Sequence, residues 1–516
     1  MIHKYIERIL KARVYDVAVE TPLDYAANLS KRLDNAVYLK REDMQPVFSF
    51  KLRGAYNKIA SLTDDEKKAG VIAASAGNHA QGVALAASKM GIAAVIVMPC
   101  TTPQIKVQAV QNLGGQSILH GDSYDEAYEY ARTLAEERHL TFVHPYDDPE
   151  VIAGQGTVAM EILRQHGGPI NAIFVPVGGG GLIAGIAAYV KFLRPETRII
   201  GVEPDDADCL NQAMKAGRRV TLKQVGLFAD GVAVKQIGKE TFKLAQHAVD
   251  AVITVNTDEI CAAIKDIFED TRSIAEPAGA LALAGLKKYV EENSAARQTL
   301  IAIESGANIN FDRLRHVAER AQRGEHKELL LAVTIPEQPG SFLKFCRRLD
   351  KRSITEFNYR YSDPQQAHVF AGLQVSNTGE DKAALIRGLE EEGFVVTDMT
   401  GNELAIEHIR YMVGGHSPHP LDEVVYSFEF PERPGALLHF LTLMGSRWNI
   451  SLFHYRNHGA AFGRVLMAIQ VPDRARHEFK GFLHELGYQY RDETDNPAYR
   501  LFAGRNMLDK SGKGLF

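Results

Sequence analysis

Short apolar runs alternate with longer, alanine-rich stretches from about residue 36 to residue 306, and this alternation limits the possible fold more than any other feature. The runs are rich in β-branched residues and have the length of single strands, whereas the stretches between them have the length of helices. Such alternation predicts βαβ units and mostly parallel sheet buried on both faces, an α/β fold. The runs read AVYLK, GVIAAS, AAVIVMP, QSILH, TFVHP, AIFVPV, RIIGVEP, AVITV and LIAIES.

A duplicated pattern follows the polar, charged stretch ERAQRGEHKE at 318–327. PEQPGSFLKF at 336–345 returns as PERPGALLHF at 431–440, and ITEFNYR at 354–360 returns as ISLFHYR at 450–456. Each copy reads as a strand, a PG turn, a helix, two strands and a helix that ends at glycine, which predicts two α+β modules of the βαββαβ type. We expect a first domain over 1–320, a linker over 321–327, and modules over 328–415 and 416–516.

Composition excludes several functional classes. The 516 residues are 45% hydrophobic and 24% charged, with a net charge of -5 and a pI near 6.4, so no strong field favours nucleic acid or an anionic membrane. No stretch has the roughly 18 apolar residues of a membrane span, and the charged N-terminus does not resemble a secretory signal. We expect a cytoplasmic enzyme acting on a small molecule, with its scattered cysteines reduced. These cysteines are Cys100, Cys209, Cys261 and Cys346.

Lys51 lies in the sequence SFKLRGA, between Phe50 and Leu52 at the start of a predicted helix. Apolar neighbours desolvate a lysine amine, which lowers its pKa and suits it to Schiff-base chemistry. A surface lysine whose methylenes lie along apolar neighbours would give the same local pattern. Lys51 alone therefore leaves both interpretations open.

Four consecutive glycines, Gly178 to Gly181, separate the strand AIFVPV from the helix that begins near Leu182. Glycines allow backbone N–H groups to converge, and a helix N-terminus adds positive potential, so this loop suits a phosphate monoester. It matches neither the dinucleotide fingerprint nor the Walker loop. A flexible turn is the alternative interpretation.

Two further polar stretches follow predicted strands, and in α/β folds ligands bind at the carboxyl ends of strands. In SAGNH, Ser75 and the backbone N–H groups suit a carboxylate, and Asn78 can donate to a phenolic oxygen. His79 in the first turn of a helix suits a structural role as well as a functional one. In SGAN, the Ser305 hydroxyl can face a ring nitrogen.

These elements, in this order, resemble the fold-type II (tryptophan-synthase-β-like) pyridoxal-phosphate enzymes, and among them the serine/threonine dehydratases. The stretches ADGVA at 229–233 and EPAGA at 276–280 belong to the same resemblance. The duplicated part resembles the paired ACT-like, ferredoxin-like regulatory domains of the biosynthetic threonine dehydratases. The resemblance therefore extends over essentially the whole chain.

The resemblance implies roles for individual residues with pyridoxal 5'-phosphate as cofactor. Lys51 corresponds to the lysine that bonds covalently to the cofactor and moves the Cα proton. Asn78 corresponds to the residue at the phenolic oxygen, and Ser305 to the one at the ring nitrogen. The phosphate loop comprises Gly178, Gly179, Gly180, Gly181 and Leu182, and the expected substrate residues are Ser75, Ala76, Gly77, Asn78 and His79.

The implied reaction converts L-threonine to 2-oxobutanoate and ammonia, the first committed step of isoleucine biosynthesis. The resemblance also implies inhibition by isoleucine, opposition by valine and a homotetramer. Related racemases have a serine at the position of Ala76, which argues against racemisation here. Related metal sites would use Glu203 and Ala207, but Cys209 stands where a later acid is expected, so we predict no metal.

Three alternatives remain at this stage. A serine dehydratase or racemase and a threonine synthase share the N-terminal motifs, although the duplicated tail favours the threonine enzyme. A non-catalytic amino-acid sensor is the third, and the complete set of chemical residues argues against it. Aromatic residues in the repeated strands could line an effector pocket or belong to an ordinary core, namely Phe357, Tyr359, Phe453 and Tyr455.

Overall fold

The computed structural model forms two compact units, Met1–Ala321 and Gln322–Phe516. The first unit is described from residue 2 onward, and the second in separate segments up to residue 502. The residues between 2 and 502 that the structure does not describe are 325–327, 337–343, 346–347, 350–353, 360–365, 376–378, 410–421, 432–435, 446 and 457–461.

The strands of the first unit form one six-stranded and one four-stranded sheet. Their bounds are β1 (Leu23–Tyr25), β2 (Ala36–Arg41), β3 (Val71–Ala74), β4 (Ala94–Met98), β5 (Gln116–Leu119), β6 (Thr141–Phe142), β7 (Ala172–Pro176), β8 (Arg198–Pro204), β9 (Ala251–Val255) and β10 (Thr299–Glu304). The six-stranded sheet has the order β1-β2-β10-β7-β8-β9, and the four-stranded sheet has the order β5-β4-β3-β6. All pairs are parallel except the edge pair β1–β2.

The predicted α/β fold is confirmed, since each of the nine apolar runs coincides with one of the strands β2 to β10 to within one or a few residues. The sequence analysis missed β1. This strand has three residues and pairs antiparallel with β2 at the edge of the sheet, with Leu23 opposite Lys40. A strand so short offers too few positions for an alternating pattern to be recognised.

Helices connect these strands and cover the sheets. Their bounds are α1 (Ile2–Lys11), α2 (Ala27–Leu33), α3 (Lys51–Ala60), α4 (Asp64–Ala69), α5 (Asn78–Lys89), α6 (Gln104–Asn112), α7 (Tyr124–Glu137), α8 (Pro149–Gln165), α9 (Gly181–Leu193), α10 (Cys209–Ala216), α11 (Lys239–Ala248), α12 (Thr257–Thr271), α13 (Pro277–Asn293) and α14 (Arg313–Gly324). Several begin at strong local signals: α4, α7 and α12 each start with a capping box, and α8 and α13 each start with proline.

The six-stranded sheet has an apolar core on each face. Along β10, Leu300 and Ala302 point into a core with α12 and α13, whereas Ile301 and Ile303 point into a core with α8 and α9. Successive strand residues face opposite sides, so a strand covered on both faces needs a continuous apolar run. The smaller sheet follows the same rule and packs α3 and α5 on one face and α7 on the other.

The second unit contains two four-stranded antiparallel sheets, ordered β12-β13-β11-β14 and β16-β17-β15-β18. The strands are β11 (Glu328–Pro336), β12 (Ile354–Tyr359), β13 (Gln366–Gln374), β14 (Val395–Asp398), β15 (Glu423–Pro431), β16 (Asn449–Arg456), β17 (Phe462–Gln470) and β18 (Gln489–Asp492). The helices are α15 (Gly379–Glu391), α16 (Glu403–Glu407), α17 (Ala436–Met444), α18 (Arg476–Leu486) and α19 (Pro497–Phe502).

The two sheets have equivalent strand orders, as expected for a duplicated ferredoxin-like module. The strands β12 and β16 even share an irregularity, a register shift between Ile354 and Glu356 and between Ile450 and Leu452. Both predicted PG turns include residues outside the described part of the chain. The strands that contain Phe357, Tyr359, Phe453 and Tyr455 are described, but the side chains of these four residues are not.

The two sheets of the second unit share an apolar core. Leu330 and Ala332 of β11 belong to the same buried cluster as Val425 of β15 and Leu466 and Ala468 of β17. Separate cores lie on the helix-covered face of each sheet. Among the described helices of the whole chain, none is both long and apolar enough to cross a membrane.

Candidate active site

Lys51 is the first residue of α3, and close packing fixes the position of this helix. A Cβ atom at Gly154 of α8 would lie 2.6 Å from the backbone oxygen of Arg53, so only glycine allows α3 and α8 to approach this closely. The Phe50 N–H donates to the Ser305 carbonyl at 3.3 Å. The end of β10 is therefore tied directly to the residue before Lys51.

The Lys51 amine lies in a desolvated environment. Its Nζ donates to the carbonyl oxygen of Pro145 at 3.2 Å and lies 5.4 Å from the centre of the Phe50 ring. Burial lowers the pKa of Lys51 to about 8, and the negative charge of Glu276 acts in the opposite direction. An amine with this pKa is largely deprotonated at mildly alkaline pH, which is the form that a nucleophile or general base requires.

The tetraglycine loop joins β7 to α9 and is closely covered by other residues. Gly180 has a φ of +88° and precedes the first residue of α9. A Cβ atom at Gly179 would lie 2.1 Å from ring atoms of Tyr146, and one at Gly180 would lie 2.6 Å from Ile237. A side chain at either position would occupy the space between the loop and these neighbours, which we call the glycine cradle. The first N–H groups of α9 have no intrahelical acceptor, so the loop suits an anion.

The 75–79 loop joins β3 to α5. The Ser75 N–H donates to the Val97 carbonyl at 3.1 Å, and the Ser75 hydroxyl oxygen accepts a hydrogen bond from the Gly77 N–H at 3.2 Å. Ala76 lies between them and is partly exposed. Gly77 precedes α5, so a second helix N-terminus faces the site. Such a loop suits a carboxylate.

Hydrogen bonds fix the orientation of the Asn78 side chain. Its Oδ1 accepts from Asn308 Nδ2 at 2.7 Å, and its Nδ2 donates to Glu276 Oε1 at 2.5 Å. Asn308 also donates to the Val47 carbonyl at 2.8 Å. The Asn78 amide therefore presents its N–H side toward Glu276, in agreement with a role as a donor.

His79 is buried and makes a structural hydrogen bond. Its Nε2 donates to the Val143 carbonyl at 2.9 Å, because a carbonyl oxygen only accepts. Burial, with the nearby Lys51 charge, lowers the pKa of His79 to about 3, so its ring is neutral at physiological pH. The prediction that residue 79 contributes to substrate binding stays a prediction, and it now depends on the backbone rather than on the imidazole.

Ser305 directly follows β10 and is buried. Its hydroxyl donates to the Ala278 carbonyl at 3.2 Å, inside the first turn of α13. Because the hydroxyl can rotate about its Cβ–Oγ bond, the same proton can instead be donated to an unprotonated ring nitrogen, which only accepts hydrogen bonds. The roles assigned to Ser305 and to the two loops stay predictions.

Sequence reasoning gave no role to several residues that the structure brings to this site. Glu276 and Asp230 lie in the EPAGA and ADGVA stretches, which were recognised only as parts of the family resemblance. Asp230 pairs with Lys106 at 2.7 Å and with Arg313 at 3.4 Å. Partial desolvation opposes ionisation of Asp230, but the charges of these two cations outweigh it and hold its pKa below the usual range.

Glu203 occupies a structural position. Its two carboxylate oxygens accept from the N–H groups of Leu210 and Asn211, each at 2.8 Å, and Cys209 Sγ lies 3.7 Å from one of them. Burial raises the pKa of Glu203 to about 8. In the part of the chain that the structure describes, no group of three or more His, Cys, Asp or Glu side chains could hold a metal ion.

The fold and this site define a pyridoxal-phosphate dependent enzyme. Residues 14–306 match the family model described as pyridoxal-phosphate dependent enzyme. Residues 319–409 and 414–503 match the model described as the C-terminal regulatory domain of threonine dehydratase. The site fits the cofactor, because a desolvated lysine amine and a glycine cradle at a helix N-terminus meet the needs of its aldehyde and phosphate groups.

Known relatives narrow this assignment. The chain is 60% identical over 503 residues to L-threonine dehydratase biosynthetic IlvA of Burkholderia multivorans, covering 97% of this chain and 99% of the relative. It is 53% identical over 499 residues to the Escherichia coli enzyme of the same name, covering 97% of both. The chain therefore belongs to the family of biosynthetic threonine dehydratases.

A solved structure agrees with this family. It is the processed form of threonine deaminase isoform 2 from Solanum lycopersicum, with a TM-score of 0.62 and 50% sequence identity. The match covers 62% of this chain and 88% of that one.

Proposed function

We propose that this chain uses pyridoxal phosphate to remove water and then ammonia from L-threonine, giving 2-oxobutanoate, under the control of its second unit. The observation that carries the proposal is the Lys51 amine, whose pKa is lowered to about 8 where it bonds to the Pro145 carbonyl. Glycine loops that suit a phosphate and a carboxylate belong to the same unit. The names of relatives 53–60% identical support threonine as the substrate.

Different residues of the site have different roles in the reaction. When bound, the cofactor supplies an electron sink for negative charge at the substrate Cα. Lys51 anchors the cofactor and then takes the Cα proton as a general base. The 75–79 loop holds the substrate carboxylate, and the 178–182 loop holds the cofactor phosphate. Ser305 offers a neutral hydroxyl to the ring nitrogen, which would not keep that nitrogen protonated and so favours prompt loss of the β-hydroxyl.

We further propose that isoleucine inhibits the enzyme by binding to the second unit and that valine opposes it. The match of both repeats to a threonine dehydratase regulatory domain supports an effector role. Allosteric control requires that isoleucine bind two states of the enzyme with different affinity. A homotetramer and a cytoplasmic location also remain predictions from the family resemblance.

The first test measures 2-oxobutanoate formed from L-threonine by the purified protein at increasing isoleucine concentration. We expect turnover that falls along a sigmoidal curve as isoleucine is added and is partly restored by valine. Leucine, an isomer of equal size, is the control ligand and should have a weaker effect. Turnover indifferent to isoleucine would contradict the effector, whereas absence of 2-oxobutanoate would contradict the proposed reaction.

Replacing Ala76 with serine is expected to raise racemisation of L-serine above the wild-type rate. Residue 76 lies between Ser75 and Gly77 in the loop assigned to the substrate carboxylate, where a hydroxyl could serve the face of Cα opposite Lys51. D-Serine formation, followed by chiral chromatography, gives the rate. Ala76→Val is the matched control, because it adds bulk without a hydroxyl. Equal D-serine rates in Ala76→Ser and wild-type protein would refute the role of this position.

A further inference from the structure

Glu276 is a buried carboxylate at the junction between the two sheets of the first unit. It precedes Pro277, the first residue of α13, and its own N–H donates to the Gly306 carbonyl at 3.0 Å. A Cβ atom at Gly306 would lie 2.7 Å from Glu276 Oε1, so the carboxylate fills the space beside this glycine. The carboxylate position is thus set by the backbone at the end of β10.

The side chains of Asn308, Asn78 and Glu276 are joined in that order by hydrogen bonds. Asn308 gives its two donor bonds to the Val47 carbonyl and to Asn78 Oδ1, which leaves Asn78 Nδ2 facing Glu276. An amide held at its oxygen by a donor and at its nitrogen by an acceptor has one orientation. Without the carboxylate, the nitrogen side of Asn78 would lose its acceptor.

Charged groups from several elements surround Glu276. Burial, together with the charge of Asp230, raises the pKa of Glu276 to about 7, although Asn78, Lys106 and Arg313 act in the opposite direction. The carboxylate in turn raises the pKa of Lys51 against the effect of burial. The groups that interact with Glu276 are Lys51 of α3, Asn78 of α5, Lys106 of α6, Asp230 of the segment between α10 and α11, and Arg313 of α14.

We propose that Glu276 is a positioning residue with two effects: it fixes the Asn78 amide in its donor orientation, and its negative charge supports protonation of Lys51. The inference rests on the proposed function, because it concerns the same cofactor site. Loss of the carboxylate charge lowers the proton affinity of Lys51. As the pH falls through the range in which Glu276 is protonated, the same loss occurs in the wild-type enzyme.

The two effects are separated by three variants. Glu276→Gln removes the charge and keeps an oxygen acceptor for Asn78. Glu276→Ala removes both. Asn308→Ala keeps the charge but removes the donor that holds Asn78 Oδ1. Glu203→Gln is the matched control, because Glu203 is also buried and also accepts N–H groups at a helix start.

The main readout is the absorbance of the bound cofactor in the holoenzyme, titrated between pH 6 and pH 9 without substrate, because this absorbance reports protonation of the Lys51 nitrogen to which the cofactor is attached. We expect Glu276→Gln to move the titration midpoint to lower pH with little loss of cofactor affinity. Glu276→Ala should move it in the same direction and weaken cofactor binding about tenfold, the effect of losing one hydrogen bond to a charged group. Asn308→Ala should weaken cofactor binding without moving the titration midpoint. Glu203→Gln should change neither the cofactor affinity nor the midpoint.

Titration curves that coincide for Glu276→Gln and wild-type protein would overturn the role of Glu276, whatever the rate on threonine. A shifted midpoint in an enzyme that forms no 2-oxobutanoate would support this role and overturn the proposed substrate instead. Thermal unfolding of each variant identifies a misfolded protein. If Glu276→Gln fails to fold, the Asn308→Ala variant still decides the orientation effect, since unchanged cofactor affinity in that variant would overturn it.

Discussion

Lys51→Ala is expected to reduce 2-oxobutanoate formation from L-threonine by at least roughly 10²–10⁴-fold, the range that a positioned general base contributes. The variant loses the covalent anchor for the cofactor as well as the base, so its loss should exceed that of any other single change at this site. Turnover in the presence of excess cofactor measures the effect. Absorbance of the protein after dialysis should also show that the cofactor is no longer retained.

Lys58→Ala is the matched control for this prediction. Lys58 lies on the same helix, but its Nζ pairs with Asp148 at 2.8 Å in a partly exposed position. Its removal is expected to leave turnover close to the wild-type value. If Lys58→Ala and Lys51→Ala lost turnover equally, disruption of α3 would explain both results and the assigned role of Lys51 would be wrong.

Arg53→Met is expected to lower the free energy of unfolding of the first unit by about 3–5 kcal/mol, the cost of breaking a buried ion pair from one side. The Arg53 guanidinium is fully buried and pairs with Glu42 at 2.7 Å and with Glu161 at 2.6 Å. Lys40 also contacts Glu161, at 2.6 Å. Methionine fills similar volume but leaves two carboxylates with only one buried cation. Denaturant unfolding followed by far-UV circular dichroism measures the loss.

The pH dependence gives an independent check on this network. Burial tends to raise the pKa of Glu42, but Arg53, Lys40 and the Thr21 hydroxyl outweigh it and lower the pKa. A carboxylate with a lowered folded-state pKa stabilises the protein above its unfolded value of 4.5, and this contribution is lost as the pH falls below that value. In Arg53→Met, the acid-dependent part of the stability should therefore be smaller.

Arg164→Met is the control, because Arg164 pairs with Glu20 on the surface. A surface pair contributes less than about 1 kcal/mol, so this variant should unfold close to wild-type conditions. Equal destabilisation by Arg53→Met and Arg164→Met would contradict the buried network as the cause.

Patterns within single segments predicted much of this molecule. The runs that form β3, β4 and β7 are apolar and buried at every position, as a strand covered on both faces requires. The repeat in the second half was visible because two copies of one module keep similar residues at similar spacing. The location of Lys51 at a helix start and of the glycines between β7 and α9 followed from the same local signals.

Contacts between segments that are far apart in the sequence could not be predicted from local patterns. Asn78 and Glu276 are 198 positions apart, and Arg53 and Glu161 are 108 positions apart. Nothing in the local sequence around a glutamate tells whether it will be exposed or enclosed by a partner from another helix. The division of the first unit into two sheets was also not specified, because strand order depends on pairing across the fold rather than on any one strand.

The core shared by the two sheets of the second unit has an evolutionary consequence. Leu330 and Ala332 in one repeat pack with Val425, Leu466 and Ala468 in the other. After a duplication, residues outside this core can change in one copy without a matching change in the other. The residues of the facing strands cannot change independently, because a volume change on one sheet must be matched on the other. Substitutions at these positions should therefore be correlated between the two halves of the module across descendants of the ancestral gene.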